Sequence, residues 1–130
     1  MLYLNTNTLD GLIDDLPVTK DQAQAKVVLL GGKPIDLAKF PNVQGLFRAG
    51  VGHDNVPWKD AKARNIEIGF PSAEAAQIIH AETANFACHL ILMMMYAKAG
   101  ELDGWKKHSR SALSQKKLLV IGTGNIGGRV

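Results

Sequence analysis

The amino-acid sequence predicts an α/β protein built on a mostly parallel sheet. Short apolar runs alternate with helical patterns as far as Ala97, which is the signature of βαβ units. A late apolar run, Leu118 to Ile121, then feeds directly into the glycine turn Gly122-Thr123-Gly124-Asn125-Ile126-Gly127. Composition agrees with both observations, because 46% hydrophobic and 21% charged residues in a chain of 130 are ordinary for a compact soluble domain with a sizeable core.

The strands are expected at Leu2 to Asn5, Lys26 to Leu30, Val43 to Phe47, Ile66 to Phe70 and Leu118 to Ile121, with a weaker one near Pro17 to Thr19. Between the first two, Thr8 to Leu16 reads as a helix with Leu9, Leu12, Ile13 and Leu16 inward and Asp10, Asp14 and Asp15 outward. Pro17 ends it. Asp36 to Phe40 is a short helical turn between Pro34 and Pro41, and Pro57 to Arg64 is a helix opened by proline. The longest helix runs from Ser72 to Ala97. Its polar residues thin out until Phe86 to Ala97 is apolar except for His89, a pattern of burial on all sides. That run is shorter than the roughly 20 residues a bilayer needs, so a second domain or a second subunit is expected to cover it, with His89 a satisfied buried histidine and Met93, Met94 and Met95 adaptable packing.

Charge and cysteine content exclude several classes of function. A net charge of +3 spread over 15 basic residues is too weak for nucleic acid, and the nearest cluster, Lys106, Lys107, His108 and Arg110, reads as solvated surface. Cys88 stands alone, which rules out a disulfide framework or a cysteine zinc site and fits a reducing, cytoplasmic compartment. No secretory signal is expected from residues 1–20, which carry Asp10, Asp14 and Asp15 and no long apolar run. His80-Ala81-Glu82 lacks the P-C-x-x-C that zinc deaminases need. The glycine turn lacks a P-loop ending, no Gly-x-Ser-x-Gly elbow occurs, and Ser109, Ser111 and Ser114 read as linker.

Two segments carry chemistry. In the G-x-G-x-x-G turn, Gly122 permits the tight exit from the strand, Gly124 lets backbone approach a pyrophosphate, and Gly127 lets the next helix pack closely. Asn125 and Ile126 complete this cofactor-binding turn. The acidic residue expected roughly 20 positions later for the ribose is not among the 130, so the chain by itself is expected to bind a dinucleotide feebly. The second segment is Arg48-Ala49-Gly50-Val51-Gly52-His53-Asp54-Asn55, at the carboxyl end of a strand, where open α/β sheets bind ligands. Alternate glycines suit an anion-binding nest of backbone N–H groups, Arg48 adds a charge-assisted and bidentate contact, and Asp54 or Asn55 holds the turn. An ordinary glycine-rich βα turn explains the segment equally well on its own. Gly31-Gly32-Lys33 forms a similar loop at the same edge, which brings Gly32 and Lys33 into the site.

The series Leu46 to Val56, Ala61 to Ile68, Ala81-Glu82 and the glycine turn, in that order and spacing, resembles the D-isomer-specific 2-hydroxyacid dehydrogenases, particularly the phosphoglycerate dehydrogenase branch. The resemblance implies a flavodoxin-like substrate domain over residues 1–71 that lacks its returning helix. It also implies an interdomain and oligomerisation helix with its connector over 72–115, and the first strand and turn of a truncated Rossmann domain over 116–130. It implies NAD as cofactor, a carboxylate- or phosphate-bearing 2-hydroxy or 2-oxo acid as substrate, and a pocket lined by Arg48, Ala49, Gly50, Val51 and Gly52. Glu82 matches the glutamate that opens the long helix. Phe70-Pro71-Ser72-Ala73-Glu74 departs from the family's Asn-Thr-Pro-like turn. The family's catalytic arginine, glutamate and histidine have no counterparts here, and none of His53, His80, His89 or His108 matches that histidine. No catalytic residue is therefore assigned, no metal, membrane or nucleic acid is expected, and a homo-oligomer through the 72–97 helix is. A non-catalytic, self-associating or regulatory module derived from such an enzyme is the alternative.

Overall fold

The computed structural model describes residues 1–9, 11–96 and 112–130. Asp10, Ala97, the basic residues Lys106, Lys107, His108 and Arg110, and Ser109 and Ser111 lie outside the described residues. The chain divides into two compact units, Met1–Ala76 and Gln77–Val130.

The first unit is a four-stranded parallel sheet in the order β1 (Leu2–Asn5), β2 (Val27–Leu30), β3 (Gly45–Arg48), β4 (Glu67–Gly69). Each strand matches an apolar run read from the sequence to within two residues. Val18 adds a single parallel bridge to Leu2 on the outer side of β1, where the weaker strand was expected. The spatial order is thus Val18, β1, β2, β3, β4, with the chain reversing direction once across β1. This gives the flavodoxin-like order 2-1-3-4-5 when the bridge is counted as a strand.

Register puts Tyr3, Val28, Leu46 and Ile68 side by side on one face. With Leu30, they pack against Ala25, Leu37, Phe40, Val43, Ala61 and Ile66, which form one core. Phe40 meets the edge of Tyr3 at 4.9 Å between ring centroids. The opposite face is more open, since Val27 and Phe47 keep 38% and 37% of their surface.

Short connections cross the packed face. Asp21 and Asp36 each cap a 3-10 turn by accepting from the backbone N–H two residues on, at Gln22–Gln24 and Leu37–Lys39. The helix α1 (Trp58–Ala63) starts after Pro57 and ends with Asn65 in the left-handed region, φ 53°. Arg64 ties it down by donating to the carbonyls of Leu37, Phe40 and Pro41. At α2 (Ala73–Met95) the helix begins with Ser72 as its cap, the hydroxyl accepting from Ala75 N–H.

Three expectations fail. The described residues of the expected Thr8 to Leu16 helix, 8–9 and 11–16, form turns and bends: Thr6 Oγ1 captures the Thr8 N–H, and Gly11 sits at φ 76°. A run of this length is too short to hold a helix without tertiary packing, and Leu12 is 74% exposed. Leu118 to Ile121 is not a strand, because no described strand pairs with it, and Ile121 is 92% exposed. Finally, α2 is not buried on all sides. Only Ala84 is buried on it, while Ile78, Phe86, Leu90, Leu92, Met93 and Met94 are exposed and His89 is exposed beside Phe86. The helix as a whole, unlike its apolar second half, is long and apolar enough to cross a membrane by length and composition.

Candidate functional site

The carboxyl ends of β1, β2 and β3 bring the predicted loops together. Ala49 N–H donates to Leu30 O at 2.9 Å, continuing the sheet one step past β3, and Arg48 NH1 reaches the same carbonyl at 3.3 Å. Arg48 Nε donates to Gly52 O at 3.0 Å, so the guanidinium folds back inside its own loop. Asn55 Nδ2 then crosses to the neighbouring loop, donating to Gly31 O at 2.6 Å and to Lys33 O at 3.2 Å. Asn5 Nδ2 donates to that same Lys33 carbonyl. The two Asn55 bonds thus stitch the two glycine loops together, while Ala49 and Arg48 fasten the second loop to the end of β2.

Glycine is used here for space. Neither Gly50 nor Gly52 has a positive φ, so the alternating left-handed form of a nest is not built. A Cβ on Gly50 would instead stand 3.0 Å from Arg48 NH1 and 3.3 Å from its Cζ, and the guanidinium would have to move. At Gly31 a Cβ would come within 2.6 Å of Thr6 Cβ. What the loop offers an anion is a set of donors: the N–H groups of Gly50, Val51 and Gly52 have no acceptor among the described residues. Arg48 keeps its second terminal nitrogen free, and no carboxylate pairs with it among the described residues. Asn55 does not hold its own turn as expected. Its amide is spent on the neighbouring loop.

Two features of this edge were not read from the sequence. His53, Trp58 and Phe70 form an aromatic cluster, with His53 4.3 Å and Trp58 5.7 Å from Phe70 between ring centroids. The signal was available, since each residue lies just past a carboxyl strand end or at the start of α1. The other is a crevice of about 270 Å³ between the ends of β1 and β2, lined by Leu4, Asn5, Thr6, Asn7 and Lys33. Its signal was the polar run Asn5-Thr6-Asn7-Thr8 after an apolar strand.

In the second unit the glycine segment turns back on itself without the strand expected before it. Gly122 has φ 89°, and a Cβ on Gly127 would collide with the Gly122 carbonyl oxygen, so both positions need glycine. At Gly124 a side chain would meet nothing, which leaves the backbone open to approach. A single helical bond, Gly128 N–H to Gly124 O at 2.9 Å, follows, and Arg129 donates to Gln77 Oε1. The N–H groups of Asn125 and Ile126 have no acceptor among the described residues. Among the described residues no three His, Cys, Asp or Glu gather as a metal site, and Cys88 is a half-buried free thiol.

Comparison with solved structures gives a fold-level match. D-lactate dehydrogenase from Aquifex aeolicus, solved with NAD and lactic acid, superimposes with a TM-score of 0.64 at 18% identity. The match covers 98% of this chain and 46% of that one. Phosphoglycerate dehydrogenase from Lactobacillus plantarum matches at a TM-score of 0.40 and 18% identity, over 98% of this chain and 48% of its own. The chain therefore spans a little under half the length of either dehydrogenase. No family model matches the sequence, and no curated protein matches it.

Proposed function

We propose that these 130 residues are the substrate-binding portion of an NAD-dependent 2-hydroxyacid dehydrogenase, together with the opening of its cofactor domain. The observation that carries this reading is the stitched pair of glycine loops, with the unpaired N–H groups of Gly50, Val51 and Gly52 beside the Arg48 guanidinium. Such a donor set holds a carboxylate through charge-assisted bonds, and it stands where open α/β sheets bind ligands. Ala49 fixes the loop to β2, and Gly32 and Lys33 flank it. A 2-hydroxy or 2-oxo acid is small enough to be held there by its carboxylate.

NAD would exchange a hydride with that carbon. In this chain the fit to the cofactor lies in Gly122, Gly124, Asn125, Ile126 and Gly127, whose open turn and free N–H groups suit a pyrophosphate. Hydride transfer also requires a proton donor within hydrogen-bond reach of the substrate, and the resemblance assigns none of this chain's histidines to that role. The chain tested alone is accordingly expected to bind small acids without turning them over. The compartment we propose is the cytoplasm.

Titration calorimetry with pyruvate or oxalate tests the reading. Arg48→Ala is expected to weaken binding by about tenfold or more, the scale of one charge-assisted contact. An unchanged affinity would remove Arg48 from the site. NADH formation from lactate by the chain itself would overturn its proposed inactivity.

The alternative use, a self-associating module, draws on the exposed side chains Ile78, Phe86, Leu90, Leu92, Met93 and Met94 of α2. Contiguous apolar surface beyond a few hundred Å² is rare on monomers. A homo-oligomer through this helix covers it without burying Glu74 or Glu82 in lipid, which is why a second subunit is proposed over a membrane.

A further inference from the structure

We infer that His53, Trp58 and Phe70 form a specificity wall for the side chain of the acid held at the Arg48 loop, so that the preferred substrate carries an aryl or other bulky apolar group next to its 2-oxo or 2-hydroxy carbon. The inference rests on the carboxylate site proposed above. It adds the part of the ligand that the carboxylate donors do not touch.

Three elements converge to build the wall. His53 lies in the loop after β3, Trp58 opens α1, and Phe70 follows β4. Phe70 stands two residues beyond Ile68, and alternation along an extended chain returns it to the packed side of the sheet, where Ala61 of α1 joins the core. Its ring is stacked with Trp58 at 5.7 Å and tilted against His53 at 4.3 Å, while His53 and Trp58 are 6.0 Å apart. All three distances are those of attractive ring pairs. Backbone bonds also fix His53 relative to Trp58: Val56 N–H donates to His53 O at 3.1 Å, and Trp58 N–H donates to Val56 O at 2.9 Å. Val56 itself is buried, and Asn55 beside it is tied to the neighbouring loop. The rings are thus set in place before any ligand arrives.

Their exposure is what core packing does not explain. Phe40 meets Tyr3 in the core and is closed off from solvent, whereas Trp58 keeps 48% of its surface, His53 is exposed and Phe70 is half-buried. An open aromatic cluster of this kind is informative where a single exposed apolar side chain is not. Position then selects its use. His53 directly follows Gly52, with consecutive Cα atoms about 3.8 Å apart, so a carboxylate on the Gly52 N–H sits one residue from the imidazole and the rings stacked beyond it. Small-molecule sites combine a few polar anchors with apolar and aromatic walls. The Arg48 loop supplies the anchors, and the three rings supply the wall.

The test compares pyruvate with phenylpyruvate by titration calorimetry on the whole chain. Phenylpyruvate is expected to bind about tenfold or more tighter, the low end of what apolar contacts contribute to discrimination. Trp58→Ala should bring the ratio of the two affinities to about two or below, and Trp58→Phe should restore most of it; Trp58 is exposed enough for both variants to fold, which circular dichroism checks. In a Trp105→Phe background Trp58 is the one tryptophan left, and phenyllactate, but not lactate, should shift its emission. Equal affinities for the two oxo acids, or a preference that survives in Trp58→Ala, would overturn the wall and leave the Arg48 pocket standing. Binding of neither acid would overturn both. If 2-phenylethanol, which has no carboxylate, binds as tightly as phenylpyruvate, the rings are a separate apolar docking surface and the wall is again refuted.

Discussion

Replacing Asn55 tests the stitching of the two loops most directly. Its amide makes two bonds, to Gly31 O at 2.6 Å in a partly buried setting and to Lys33 O at 3.2 Å at the surface. In Asn55→Ala the Gly31 carbonyl loses its partner, and a buried acceptor left unpaired costs about 1–3 kcal/mol. The Lys33 carbonyl keeps Asn5 and adds little to that cost. A unit of this size shifts in melting temperature by about 4–8 °C per kcal/mol, so a fall of about 5–20 °C is expected by circular dichroism. Asn55→Asp preserves shape but turns carboxylate oxygens toward two carbonyls, and it should be worse than alanine. Hydrogen exchange at Gly32 and Lys33 should quicken in both variants. If aspartate is tolerated as well as asparagine, the amide is not donating, and the stitched site is wrong.

Gly31→Ala should destabilise the first unit by about 1–3 kcal/mol, the usual range for overpacking, because the new methyl meets Thr6 Cβ at 2.6 Å; chemical denaturation would show it, and a neutral outcome would mean the β1 and β2 ends are not in contact. Arg64→Leu removes three bonds to the Leu37, Phe40 and Pro41 carbonyls, and at about 1.5–3 kcal/mol for a charged hydrogen bond in a partly buried site it should lower the urea midpoint sharply; an unchanged midpoint would show that α1 is held by apolar packing alone. If α2 mediates association, Leu90→Asp with Met94→Asp should yield a monomer in sedimentation, whereas a compact monomer from the unmodified chain at micromolar concentration would end that proposal.

The sheet was legible because its strands are dictated by local sequence. Val27 to Leu30 and Gly45 to Arg48 sit between turn residues and send Val28, Leu30 and Leu46 into the core, so apolar runs and strands coincide. The long helix was legible for a similar reason, with Ser72 as its cap and no glycine or proline inside it. Thr8 to Leu16 has a helical pattern too, but pattern alone does not pay for nucleation when Gly11 interrupts it and Leu12 finds nothing to pack on. Leu118 to Ile121 fails on partners, because strand structure is a property of the neighbours. The Arg48 loop could be located from sequence by its position after β3. Its internal economy could not, since the route of Asn55 to Gly31 depends on two loops 22 to 24 residues apart meeting in space.

That meeting point is the Lys33 carbonyl, which accepts from Asn5 on one side and Asn55 on the other. A carbonyl oxygen has two lone pairs, so either amide alone leaves it satisfied. Removing Asn5 should therefore cost little, and removing both should cost more than the sum of the single changes. A double-mutant cycle with Asn5→Ala and Asn55→Ala is expected to show coupling above the roughly 0.5 kcal/mol seen between independent sites. Additivity would mean the two loops respond separately. Coupling would mean that the β1 crevice and the Arg48 loop, though lined by different side chains, are positioned through one shared main-chain atom.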